Sequence, residues 1–228
     1  MNRLNTLITL AVLVLGWQAC AFQREKRDVA PFDEISFSTS GELHIKQGST
    51  QSVEVEGDED DLERLITEVN GDRLIIKTEG WKSFNMGHIK VYVTVTELEA
   101  LQISGSGEVY GEGIIRGKDI DLGISGSGDL EMDVEVEELE IRISGSGDIE
   151  LAGSAQEMDL RISGSGEIDA EEMTVNVVDA HISGSGSCSV TVNEAIDASI
   201  SGSGTIYYKG NPKHINSHSS GSGKVKKL

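Results

Sequence analysis

One tetrapeptide recurs through the second half of the chain and governs what it can fold into. Ser-Gly-Ser-Gly begins at Ser104, Ser125, Ser144, Ser163, Ser183, Ser201 and Ser220, at steps of 21, 19, 19, 20, 18 and 19 residues. A fixed period near twenty marks a solenoid, whose units bury their apolar faces only by stacking on one another. Glycine-serine runs also occur in flexible linkers, but linkers do not recur in phase with aliphatic residues. Here Ile103, Ile124, Ile143, Ile162, Ile182 and Ile200 each precede a motif, with Ser219 in that slot at the last one. Two residues beyond the motifs stand Val109, Leu130, Ile149, Ile168, Cys188, Ile206 and Val225. Upstream, Leu139 and Ile141 lead to Ile143, and Met158 and Leu160 lead to Ile162. This is the period-two alternation of strands with one buried face.

The alternation runs through the motif itself. With Ile143 inward, Ser144 points out, Gly145 in, Ser146 out, Gly147 in, Asp148 out and Ile149 in. Both glycines fall on inward slots, as at a bend with no room for a Cβ, and the serines form two outward ladders. The fold expected is all-β: a right-handed parallel β-helix of about 18–21 residues per coil, with coils about 4.8 Å apart. Seven motif-bearing coils make a segment on the order of 34 Å long. Helical solenoids are disfavoured by the glycine density. An antiparallel meander would need turn signals every eight to twelve residues, which the segments between motifs mostly lack.

Residues 1–20 read as an export signal. Arg3 is followed by the short apolar run Leu7–Gly16, too short to span a bilayer comfortably. Ala19-Cys20-Ala21 fits signal-peptidase cleavage, while Ala19-Cys20 also fits the end of a bacterial lipoprotein signal, with Trp17 where that pattern usually has Leu. Cys20 is therefore the lipidation candidate, and both readings export the protein; an uncleaved anchor is the third alternative. No second apolar segment occurs, so no transmembrane helix is expected in the mature chain. The expected location is the periplasm, outer membrane or cell surface. Cys188 is then left alone, in the aliphatic column of Ile168 and Ile206, and reads as a buried thiol packing like a small hydrophobe.

Residues 21–48 read as a linker and a first, degenerate coil, with Phe37 in the Ile slot and Thr39 in the first Gly slot. Residues 49–96 break the pattern. Leu62, Leu65, Ile66 and Val69 have helical spacing within Asp58–Val69, Asn70-Gly71 signals a hairpin turn, and Leu74–Lys77 and Ile89–Val95 alternate as strands. This segment is expected to be a small inserted α+β cap over one solenoid end, since open ends template aggregation. Residues 97–228 are the motif-bearing coils, and Lys224, Lys226 and Lys227 would discourage edge pairing at the far end.

An export signal, the segment Val29-Ala-Pro-Phe-Asp-Glu-Ile35, an early Ser-Gly coil and repeated Ile-Ser-Gly-Ser-Gly-Asp/Glu-Ile units together resemble the GIN-domain proteins. That family is described as autotransporter adhesin heads of Bacteroidetes-type bacteria. The resemblance runs from about residue 28 to the C-terminus. It implies a β-helical domain of the cell envelope and brings no catalytic residues.

Net charge is −20, from 39 Asp+Glu against 19 Lys+Arg, which disfavours nucleic acid and anionic lipid headgroups as partners, since both would be repelled. Immediately after the motif, Glu108, Asp129, Asp148 and Glu167 occupy one outward slot in successive coils. Carboxylates stacked this closely repel; solvation relieves this, and calcium bridging neighbours would relieve it too, so these four are the metal candidates. The serine ladder offers hydroxyls to a glycan, or simply fills a tight bend. Among the aromatics, which include Tyr92, Tyr110 and Tyr207, Trp81 and Phe84 lie beside Gly80 and Gly87 and are the candidates for surface contact. His181 and His218 hold equivalent slots two coils apart, too distant to share a metal. No paired acids stand out as glycosidases require, and no P-loop, dinucleotide fingerprint, CxxC or HExxH occurs. No cofactor is expected. The reading is a non-enzymatic binding or structural module of the envelope, adhesin-like, with a glycan or protein partner and self-association through the solenoid ends as a further route. The alternative is a carbohydrate-active enzyme working in a groove along one face.

Overall fold

The inward glycines and alternating aliphatics wind the chain into a parallel β-helix, seen in a computed structural model that describes residues 23–79 and 89–228. The strands are β1 (Gln23–Arg27), β2 (Glu34–Ser38), β3 (Glu42–Gln47), β4 (Ser52–Gly57), β5 (Leu65–Asn70), β6 (Arg73–Thr78), β7 (Lys90–Val95), β8 (Ala100–Gly105) and β9 (Glu108–Arg116). They continue as β10 (Asp119–Gly126), β11 (Asp129–Gly145), β12 (Asp148–Gly164), β13 (Glu167–Gly184), β14 (Ser187–Gly202), β15 (Thr205–Gly210), β16 (His214–Gly221) and β17 (Lys224–Lys227). One helical turn, α1 (Glu59–Leu62), lies between β4 and β5.

Coil lies on coil in register. Ile143 pairs with Ile124 below it and Ile162 above it, and the ladder continues to Ile182 and Ile200. Each coil has two stretches of wall. One precedes the Ser-Gly corner and carries the column Ile35, Leu101, Leu122, Ile141, Leu160, Ala180 and Ala198, all buried. The other follows the corner and carries Leu43, Val109, Leu130, Ile149, Ile168, Cys188 and Ile206, also buried. Burying each Val, Leu or Ile of these columns stabilises the fold by about 1.5–3 kcal/mol, and the smaller Ala180, Ala198 and Cys188 contribute less.

The corner explains the glycines. Gly145 has φ 135°, a region L side chains rarely adopt, and a Cβ there would sit 2.2 Å from the carbonyl oxygen of Gly126 in the coil below. A Cβ on Gly147 would sit 2.4 Å from the Gly128 oxygen. Those carbonyls are engaged: Ser146 N–H donates to Gly126 O at 2.8 Å, and Asp148 N–H to Gly128 O at 3.3 Å. The bend thus keeps its backbone hydrogen bonds while two chains approach too closely for any side chain.

The N-terminal third departs from chain order. Phe37 pairs with Ile103, in the slot of the motif isoleucines, and Thr39 is buried at the corner that follows. Below it, β6 pairs in parallel with β2, and β7 with β3, so the inserted segment supplies a further coil. Antiparallel strands then cover the end: β5 on β6, and β4 and β1 beyond β7. The helix expected over Asp58–Val69 is confined to one turn; Leu65–Asn70 is strand instead. The hairpin accounts for this, because Gly71 at φ 66° turns the chain so that Asn70 faces Arg73 and β5 completes the edge of β6. No helix among the described residues is long and apolar enough to cross a membrane.

Candidate functional site

The outward positions of the two walls form columns one residue wide, and these are the chemistry the molecule presents. After the corner, Lys90, Glu42, Glu108, Asp129, Asp148, Glu167, Ser187, Thr205 and Lys224 follow one another in register. The four acidic candidates therefore stack one per coil, as the repeat implied, between a lysine at each end. A second column two residues along reads Tyr92, His44, Tyr110, Glu131, Glu150, Asp169, Ser189, Tyr207 and Lys226.

At the N-terminal end these columns neutralise themselves. Lys90 Nζ donates to Glu42 Oε2 at 2.7 Å, which holds the Glu42 carboxyl below its ordinary value. His44 is sandwiched between Tyr92 and Tyr110, with ring centroids 5.1 and 5.5 Å apart, and Arg24 lies 4.2 Å from the Tyr92 centroid. The Tyr110 hydroxyl donates to Glu108 at 2.8 Å, and that carboxylate, aided by burial, pushes the phenol up to about 12. Tyr92 and Tyr110 thus stack in a ladder with His44 between them.

Farther along, Asp129, Glu131, Asp148, Glu150, Glu167 and Asp169 take part in no ion pair of the described residues. The Glu167 N–H donates to Asp148 Oδ1 at 3.2 Å, an inter-coil bond that orients one carboxylate. Among the described residues, no three His, Cys, Asp or Glu side chains converge as a metal ion requires. The ladder spaces its carboxylates along a line rather than around a point.

The wall before the corner carries a charge pattern that sequence reading did not extract. Its column Asp121, Glu140, Asp159, Asp179 lies beside Gly123, Arg142, Arg161, His181. Arg142 reaches Asp121 at 2.6 Å; Arg161 reaches Glu140 at 2.8 Å and Asp159 at 3.0 Å; His181 reaches Asp179 at 3.0 Å. The signal was available, since Arg142, Arg161 and His181 each stand two residues before a motif serine. As these side chains lean toward the acids they leave a shallow groove of about 530 Å³ over Ser144, Ser163 and Ser183. A second hollow, of about 740 Å³, is rimmed by Glu34, Glu97, Glu99, Asp121, Arg73 and Lys118. Glu99 there titrates above its ordinary value, chiefly through repulsion from Asp33.

Cys188 is fully buried, and desolvation pushes its thiol up to about 12, so it packs as a hydrophobe. His181 and His218 lie two coils apart with Ser199 between them. The segment expected to direct export, with Cys20, and the contact candidates Trp81 and Phe84 lie outside the described residues.

The fold is a parallel β-helix whose surface is laid out as evenly spaced columns, and a fold of this class serves more than one function. The chain belongs to the GIN-domain family: the family model described as "Putative auto-transporter adhesin, head GIN domain" matches residues 31–212. No curated protein matches the chain. It is similar to a crystal structure from Bacteroides fragilis described as a "putative adhesin", with TM-score 0.87 and 25% identity over 91% of this chain and 97% of that one. A "putative adhesin" from Parabacteroides merdae has TM-score 0.74 and 25% identity, covering 91% of this chain and 96% of the other. A "putative lipid binding protein" from Parabacteroides distasonis has TM-score 0.73 and 26% identity over 91% and 96%.

Proposed function

We propose that this protein is an exported, non-catalytic binding module of the bacterial cell envelope, adhesin-like in use and held at a membrane surface by acylation of Cys20. The family match over residues 31–212 carries this reading. The geometry supports it, because a stack of coils repeats the same outward side chains at about 4.8 Å intervals and suits extended or multivalent contact better than chemistry at one point. Export is supported by the apolar run Leu7–Gly16 behind Arg3. The acidic columns serve as a solvated flank that needs no cofactor.

Two measurements test this. Mass spectrometry of the mature N-terminus should find Cys20 as the first residue, diacylated or triacylated; a mature chain that starts after Cys20 removes the anchor. Capture of ligands from envelope fractions, together with a glycan array, should give saturable binding. Release of products from acidic polysaccharides by the purified protein would overturn the non-catalytic reading.

A further inference from the structure

The coil farthest from β1 is unlike every coil beneath it. Residues 209–228 carry Lys209, Lys213, Lys224, Lys226 and Lys227 and no Asp or Glu, in a chain of net charge −20. Lys209 is paired with Glu171. The other four lysines are exposed and have no carboxylate partner among the described residues, and His214 and His218 are exposed beside them. All but the first four of these residues lie beyond the family match, which ends at 212.

Two of the inner columns change at the same level, while Ile196 is followed by Ile215 and Ile206 by Val225. Ile141, Leu160, Ala180 and Ala198 are followed by Ser217, and Ile143, Ile162, Ile182 and Ile200 by Ser219. Every residue of β16 is exposed, and its outer edge presents backbone groups beside Asn216, Ser217, Ser219 and Ser220. Tyr207 lies under Lys226, with the ammonium 5.5 Å from the ring centroid.

We propose that this lysine-rich coil is the binding face, and that its partner is an anionic glycan, a carboxylated or sulfated polysaccharide. The proposal rests on the surface-binding reading and deepens it. A polyanion is repelled along the carboxylate flank and attracted only at this coil, so the field of the whole rod orients it end-on. Unpaired lysines meet the acidic groups, while the serine, asparagine and histidine side chains and the free strand edge meet sugar hydroxyls. With Ser217 and Ser219 in place of Ala and Ile, Ile215 and Leu228 are the large apolar side chains this coil exposes, among many more polar ones, a surface suited to a hydrated partner rather than to a bilayer interface, which takes a continuous apolar face. Cys20 lies three residues before Gln23, the first residue of β1, so an anchor there leaves the lysine coil facing away from the membrane. The competing role for these lysines is to keep the strand edge from pairing with other chains; that role predicts aggregation on their removal and no glycan affinity.

The test is titration of the full protein with heparin and with dextran sulfate at low salt, using neutral dextran as control. The expected result is saturable binding to both polyanions, none to dextran, and at least a tenfold loss when salt is raised. The triple variant Lys224→Ser, Lys226→Ser, Lys227→Ser should lose at least tenfold while keeping the wild-type melting curve. Glu131→Gln with Glu150→Gln, on the flank, should not weaken binding. Absence of binding by the wild type, or equal binding by the triple variant, overturns the proposal. Lysine-dependent binding to phosphatidylglycerol vesicles or duplex DNA with none to the polysaccharides overturns it as well, by assigning another partner class. If envelope capture persists unchanged in the triple variant, the glycan face is wrong and the surface-binding reading stands; if the wild type captures nothing, that reading falls too.

Discussion

The two walls that meet at the Ser-Gly corner share one interior and differ outside. Both bury apolar columns up to the last coil, and both take their register from the same glycines. Yet the wall before the corner matches its acids with Arg142, Arg161 and His181, whereas the wall after it stacks Asp129, Asp148 and Glu167 with no cation opposite. A solenoid fixes what points inward very tightly and leaves the outer columns free to vary without disturbing the fold.

The walls should respond alike where they are alike. Ile162→Ala before the corner and Ile168→Ala after it should each lose about 2–5 kcal/mol in denaturant unfolding; a large inequality would mean that one column is not part of the common core. Gly145→Ala strikes both walls at once through its positive φ and the Gly126 carbonyl, and should cost at least about 1–3 kcal/mol, while the outward Ser144→Ala stays within about 0.5 kcal/mol.

Outside, the responses should part. Arg161→Gln removes two exposed ion pairs and should cost up to about 1 kcal/mol, less at high salt. Glu150→Gln relieves repulsion in the unpaired column and should stabilise by a few tenths, about 0.2–0.5 kcal/mol, again less at high salt. Equal signs for the two would erase the distinction between the walls. Calcium titration belongs here: a solvated flank gives no heat and no change in melting temperature.

The smallest expected effect is in acid. The Lys90 hydrogen bond lowers the Glu42 pKa in the folded state, so the stability it brings is complete above the unfolded value and disappears as pH falls through the lower folded one. Glu99 has the opposite sign: its raised pKa makes the native state the stronger proton binder, and stability is lost as pH rises through that value. Glu42→Gln should flatten the acid side of the stability–pH curve, and Glu99→Gln should remove the fall on rising pH.

Much of this was legible in the chain. Alternation through Ile143–Ile149 dictated which side chains point inward, and the fixed period dictated that like stacks on like; the degenerate coil at Phe37 and Thr39 followed from the same parity. Two features were not. The spacing of Leu62, Leu65, Ile66 and Val69 suits a helix, but Leu65 and Val69 suit a strand equally once a hairpin sets them against β6. The coil made by β6 and β7 lies beneath β2 and β3 although it follows them in sequence, because strand order in a stack is set by which edges remain open and not by chain order. The Arg142–Arg161–His181 column was readable at a constant offset from the motif, but its ion pairs depend on side chains reaching across coils.

In-register stacking of successive coils is the central claim, and spin labels on the outward serines test it most directly. Cys188 is buried with its thiol near 12, so in a Cys20→Ser background it should stay unlabelled in the folded protein. Labels at Ser144→Cys and Ser163→Cys then lie on adjacent rungs, with Cα atoms about 5 Å apart, and labels at Ser125→Cys and Ser163→Cys about 10 Å apart. The expected result is strong dipolar broadening for the first pair and weaker broadening for the second. No broadening for Ser144→Cys with Ser163→Cys, or stronger broadening for the more distant pair, would contradict the stack.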